Sequence, residues 1–144
     1  MNKEDKYWIA LSSLQKNGVE KLNRFLIDIY NTIGSSIIEF VEGKEDRISG
    51  ESNCTMEELE IFRRTLTNDI KAEPIALELE KHGIEIIPIV SKEYSSALKR
   101  YLKTKSSPPV LFVKGDKSLL NEPSSGIVGS RNASDVSLAF TDMI

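Results

Sequence analysis

The chain has 144 residues, 40% of them apolar and 28% charged, with a formal net charge of −3. That composition is that of a folded protein of one ordinary domain or two small ones, and it excludes a disordered or collagen-like chain. The longest apolar runs, such as Val110 to Val113, span a few residues where a bilayer crossing needs about 20, and the polar start Asn2-Lys3-Glu4-Asp5-Lys6 is unlike a secretory signal, so the cytoplasm is the expected location. One cysteine, Cys54, rules out an internal disulfide, and with His82 the one histidine there is no Cys/His metal set. No metal or cofactor is expected.

Charge is spread unevenly. Residues 1–80 carry 10 Lys and Arg against 16 Asp and Glu, whereas residues 81–131 carry 9 against 4. A basic second half is compatible with a polyanion surface, and equally with an ordinary solvated surface of uneven charge.

Trp8, Leu11 and Leu14, three apart, predict a first helix, ended by Asn17-Gly18. Val19, Leu22, Phe25, Leu26, Ile29 and Ile33 recur at steps of three or four and predict a second helix, closed by Gly34. Two helices across a short glycine turn are compatible with a helix-hairpin-helix or SAM-like module whose turn amides hold a DNA phosphate. A plain αα-hairpin accounts for them more simply. Ser36 with Glu39, and Thr55 with Glu58, have capping-box spacing and predict two further helix starts, with a polar loop from Gly43 to Asn53 between them. The second of these helices has Met56, Leu59, Phe62, Leu66 and Ile70 as its buried stripe and Arg63, Arg64 and Asp69 off it. Pro74 suits the first turn of a last helix carrying Ile75, Leu77 and Leu79, which Gly83 stops. Residues 1–82 are thus expected to be a small helical module.

From Gly83 the pattern becomes extended. Ile84, Ile86, Ile87 and Ile89 predict a strand that Pro88 makes an edge or ends. Tyr94, Ala97, Leu98, Tyr101 and Leu102 predict a helix flanked by Lys99, Arg100, Lys103 and Lys105 and terminated at Ser106-Ser107-Pro108-Pro109. Val110–Val113 predicts a second strand and Ser118-Leu119-Leu120 a brief helix, before a buried strand at Gly126–Val128 that turns at Gly129 into a helix opening with Ser130, Arg131 and Asn132. A strand, a glycine turn and a helix N-terminus make an anion site, because first-turn amides lack acceptors and Arg131 can grip a phosphate bidentately. Gly129, Ser130, Arg131 and Asn132 are the candidate site. The order of elements describes the edge of an α/β sheet.

The run Pro108-Pro109-Val110-Leu111-Phe112-Val113-Lys114-Gly115-Asp116, then Leu119-Leu120, then Ile127-Val128-Gly129-Ser130-Arg131-Asn132-Ala133, resembles the DNA-processing protein DprA (Smf) family. Gly83-Ile84 and Glu93-Tyr94 with Leu98 fit the same pattern, and Trp8-Ile9-Ala10-Leu11 resembles the family's helical N-terminal module more loosely. Ser95 stands where the family usually has proline.

The resemblance implies a helical module at 1–82 followed, at 83–144, by the first part of an extended Rossmann-like α/β domain that in the family continues well past the loop. It implies a bacterial, non-enzymatic protein that binds single-stranded DNA, loads the recombinase RecA during natural transformation and works as a homodimer. The family's Gly-Ser-Arg phosphate loop falls on Gly129, Ser130 and Arg131, with Asn132 beside them. Exposed aromatics such as Tyr94 or Tyr101 are expected to stack on bases. Two other readings stand beside this one: an inactive truncated fragment, and a nucleotide-hydrolysing Rossmann enzyme, for which Asp135 and Asp142 lack a partner constellation. The loop has neither a Gly-x-Gly-x-x-Gly fingerprint nor a P-loop lysine, so dinucleotide and ATP binding have no support.

Overall fold

The computed structural model describes residues 2–13, 19–43, 54–68, 72–126, 128–129 and 132–142. Among the described residues five helices come first: α1 (Asp5–Ser12), α2 (Glu20–Ile27), α3 (Ile37–Val41), α4 (Met56–Asn68) and α5 (Ala72–Lys81). Strand β1 (Ile84–Pro88), helix α6 (Ser96–Ser106), strand β2 (Val110–Lys114), a 3-10 turn (Lys117–Asn121) and helix α7 (Asp135–Thr141) follow. The mixed helix-and-strand class expected from the sequence is observed.

Local signals account for most boundaries. Helix α2 runs into a π turn at Asp28–Ile33 that closes on Gly34 at φ 67°, a left-handed conformation that glycine adopts without a Cβ clash. Ser36 caps α3 by accepting from the Glu39 amide at 3.3 Å. The Glu39 carboxylate accepts instead from Ser35 Oγ at 2.5 Å. At α4 the capping box is reciprocal, with the Glu58 amide on Thr55 Oγ1 at 3.3 Å and the Thr55 amide on Glu58 Oε2 at 3.0 Å. The expected turn at Asn17-Gly18 lies outside the described residues, as do Leu14, Asp69 and Ile70 and most of the polar loop after Gly43.

Phe25, fully buried, is the hub of the helical core. It meets Phe40 edge-on at 4.9 Å between ring centroids and stacks on Phe62 at 5.0 Å. The Arg63 guanidinium lies 4.9 Å over the other ring of that cluster, Phe40, so a residue expected off the stripe covers the core's edge. One stripe assignment is corrected. Met56, the first residue of α4, is 65% exposed, while Leu59, Phe62 and Leu66 are buried as expected. In α5 the buried residues are Ala72 and Ala76, while Ile75 and Leu77 are exposed. α5 packs closely on α1, and small side chains permit that approach.

The core continues across Gly83, whose φ of 66° turns the chain from α5 into β1. Ile87, Ile89, Tyr94 and Val110 join the same buried cluster as Trp8, Leu11, Leu22 and Phe25. β1 and β2 pair antiparallel, Ile84 opposite Lys114, Ile86 opposite Phe112 and Pro88 opposite Val110, and form a two-stranded sheet among the described residues. Pro88 stands at the last position of β1, as its missing amide requires.

Helix α6 lies on the surface. None of its residues is buried: Leu98 is half-buried, Ala97 exposed, and Tyr101 is 78% exposed. Ser95 takes its N-cap position and accepts from the Leu98 amide at 3.4 Å, so the turn after Tyr94 is closed without the proline. No helix among the described residues is long and apolar enough to cross a membrane.

Candidate nucleic-acid interface

Past the 3-10 turn the chain is an exposed strap. Residues 123–126, 128 and 129 have no regular structure, and Val128 is 98% exposed, so the expected buried strand at Gly126–Val128 is corrected: Val128 has no pairing partner among the described residues. An apolar strand residue is buried only where the strand joins a sheet whose faces are covered, and among the described residues the sheet consists of β1 and β2 alone.

Of the four candidate residues, Gly129 is exposed in this strap and Asn132 is exposed in a turn, while Ser130 and Arg131 lie outside the described residues. A Cβ built at Gly129 meets nothing within 4 Å. The helix after the loop starts later than expected. α7 begins at Asp135, and Ser134 Oγ accepts from the Ser137 amide at 3.3 Å, which makes Ser134 its N-cap. A serine followed by an aspartate is a stronger helix start than Ser130-Arg131, because it supplies both the acceptor and the first-turn negative charge. Asp135 in that first turn places a negative charge at the end of α7 where its dipole would otherwise attract an anion.

Upstream, the strap is anchored on α6. Asn121 Oδ1 accepts from the Ser96 amide at 2.8 Å, tying the 3-10 turn to the helix start. Lys117 bridges Glu85 at 2.7 Å and Glu93 at 3.1 Å, and these contacts raise its pKa, the hydrogen bond to Glu85 most. Between α6 and the 3-10 turn lies a groove of about 340 Å³ whose wall is Leu98, Tyr101, Leu102 and Leu120. Tyr101 stands in this groove with its ring largely in solvent.

Tyr94, the other aromatic expected to stack on bases, cannot do so. It is 2% exposed, and its hydroxyl donates to the Pro108 carbonyl at 2.7 Å. Burial pushes its pKa up to about 12, with the Ser107 hydroxyl acting against that rise. The two tyrosines share one sequence periodicity, but Tyr94 precedes the helix and turns inward whereas Tyr101 lies on its open face.

The basic half divides in the same way. Lys81 pairs with Glu78, and Lys117 with two glutamates. Lys92, Lys99, Arg100, Lys103, Lys105 and Lys114 have no carboxylate partner among the described residues, and four of these six belong to α6. An exposed helix with four uncompensated cations and a solvent-facing tyrosine is suited to a polyanion that also offers ring faces.

Residues 85–144 match the family model of DNA recombination-mediator protein A. The resemblance read from the sequence is borne out over this segment. The matched segment starts within β1 and takes in α6, β2, the strap and α7, so it contains both the basic helix and all four candidate loop residues. No curated protein and no solved structure gives a significant match to the chain.

Proposed function

We propose that this chain is a single-stranded-DNA-binding component of a DNA recombination mediator, acting by binding rather than by catalysis. The observation that carries the proposal is the coincidence of the recombination-mediator match with α6, where unpaired cations flank the exposed Tyr101. Backbone phosphates meet Arg131, with Gly129, Ser130 and Asn132 supplying amides and side-chain donors around it. Tyr101 takes a base face. The family resemblance adds the recombinase RecA and a second copy of the chain as partners, and a bacterial cytoplasmic setting in natural transformation.

The test is a titration of fluorescent oligothymidylate at two salt concentrations, with the chain and with Arg131→Ala. Affinity is expected to fall with salt and to fall again with the substitution, with a shallower salt dependence, because one phosphate contact is lost. Absence of binding at low salt overturns the reading. Release of a free base from a nucleoside monophosphate turns it toward hydrolysis.

A further inference from the structure

A second cavity lies on the other side of α6, away from the Tyr101 groove. It measures about 230 Å³; Ile27, Ile89 and Val90 form an apolar floor, and Lys99, Lys103 and Thr104 stand along one wall. Ile89 is 2% exposed, so the floor is the surface of the core itself. A flat, apolar-faced ring of pyrimidine size suits such a space, and Lys99 and Lys103 give its wall two positive charges.

Three further observations show that the wall is built and not incidental. Lys103 has φ 54° and ψ −169°, a backbone conformation that a non-glycine residue adopts only when its surroundings impose it. Just after it, Asn23 of α2, fully buried, donates through Nδ2 to the carbonyls of Thr104 at 2.9 Å and Ser107 at 2.8 Å, which ties this end of α6 to the core. Lys99 has no carboxylate partner among the described residues; its ammonium lies 5.3 Å over the Tyr94 ring and 3.5 Å from the Ser91 carbonyl. Burial lowers its pKa from the ordinary value, as expected of a cation partly stripped of water without a counter-charge. A phosphate at the cavity mouth supplies that charge.

We propose that this cavity receives one unpaired base of a single-stranded DNA, with Lys99 and Lys103 holding the phosphates that flank it. The ligand class rests on the single-stranded-DNA reading above; the site is separate from the Gly129–Asn132 loop. The occupant follows from charge complementarity: two unpaired lysines at the mouth of an apolar slot suit a ligand that alternates anionic groups with flat rings. Duplex DNA keeps its bases stacked and cannot offer one.

The test is amide-resolved NMR of the whole chain titrated with octathymidylate and with a strand of the same length lacking bases. Octathymidylate is expected to shift the amides of Val90, Thr104 and Ser107, and the base-free strand to leave them in place. Lys99→Ala combined with Lys103→Ala is expected to weaken octathymidylate binding about tenfold at about 50 mM salt and to flatten its salt dependence. Asn31 lines the same cavity from the π turn and is exposed, so Asn31→Trp blocks the slot without a buried change and keeps both lysines; it is expected to abolish the three shifts. If octathymidylate shifts only residues around Gly129 and Asn132, the cavity proposal is overturned and the loop reading survives. Equal shifts with the base-free strand overturn the base pocket, and no binding anywhere overturns both.

Discussion

The side-chain amide of Asn23 in α2 donates to the carbonyl oxygen of Ser107 at 2.8 Å, joining the second helix to the end of α6 across 84 residues of sequence. The same nitrogen reaches the Thr104 carbonyl, so both of its protons are used on a helix end that has no amides of its own to offer. Asn23 Oδ1 is buried without a partner among the described residues. Asn23→Ala is therefore expected to strand two carbonyls, one of them fully buried, and to destabilise the chain by about 2 kcal/mol. Urea unfolding followed by circular dichroism measures this, and an unchanged midpoint would show that water replaces the amide freely.

Glu58 closes the α4 capping box and also pairs with Lys21 of α2. The hydrogen bond from Lys21 lowers the Glu58 pKa most, followed by that from the Thr55 amide. A carboxylate whose folded pKa lies below its unfolded one contributes stability above the unfolded value and loses it as pH falls through the folded value. Melting temperature should accordingly drop through the acidic range in the native chain and drop less in Glu58→Gln. Thr55→Ala removes the other half of the box, at a cost of about 1 kcal/mol.

For Tyr94 the direction is reversed. Its folded pKa is raised by burial to about 12, so the stability it contributes is complete below the unfolded value of about 10 and is lost as pH rises through the folded one. Ultraviolet titration should show two tyrosines ionising late, Tyr94 and the still higher Tyr30, which is also raised by burial, and Tyr94→Phe should remove the earlier of these two steps. The same substitution deletes the bond to Pro108 and is expected to destabilise by about 1 kcal/mol.

Tyr101→Ala should leave stability nearly unchanged, because the ring is 78% exposed. Oligothymidylate affinity should nevertheless fall roughly tenfold, the magnitude expected for one lost base stack. A tyrosine that can be removed without loss of affinity takes no part in binding, and fluorescence anisotropy decides between the two outcomes.

Much of the helical part was legible because its signals are local. Ser36, Thr55 with Glu58, Gly34 and Gly83 act on groups within a few residues, and each stands where its spacing placed it. The loop was legible as a pattern of residue types, which is also what the recombination-mediator match registers. Its strand and helix start were misread. The segment Gly126–Val128 was expected to be buried on composition alone, and the helix was expected to start at Ser130 although Ser134-Asp135 carries the better capping signal.

The sequence by itself determined the helix starts at Ser36 and Thr55 and the stops at Gly34 and Gly83, that the second half is basic, and which family pattern residues 85–144 carry. Those features depend on near neighbours or on residue identity. Only the tertiary structure decided that Ala76 is buried and Leu77 exposed, that Tyr94 is in the core and Tyr101 in solvent, and that Asn23 meets Ser107. Periodicity defines a helix face, but the partner that covers it is supplied from elsewhere in the chain. At α6 the face that carries Tyr101 is left largely open among the described residues, and that open face gives the candidate interface its aromatic.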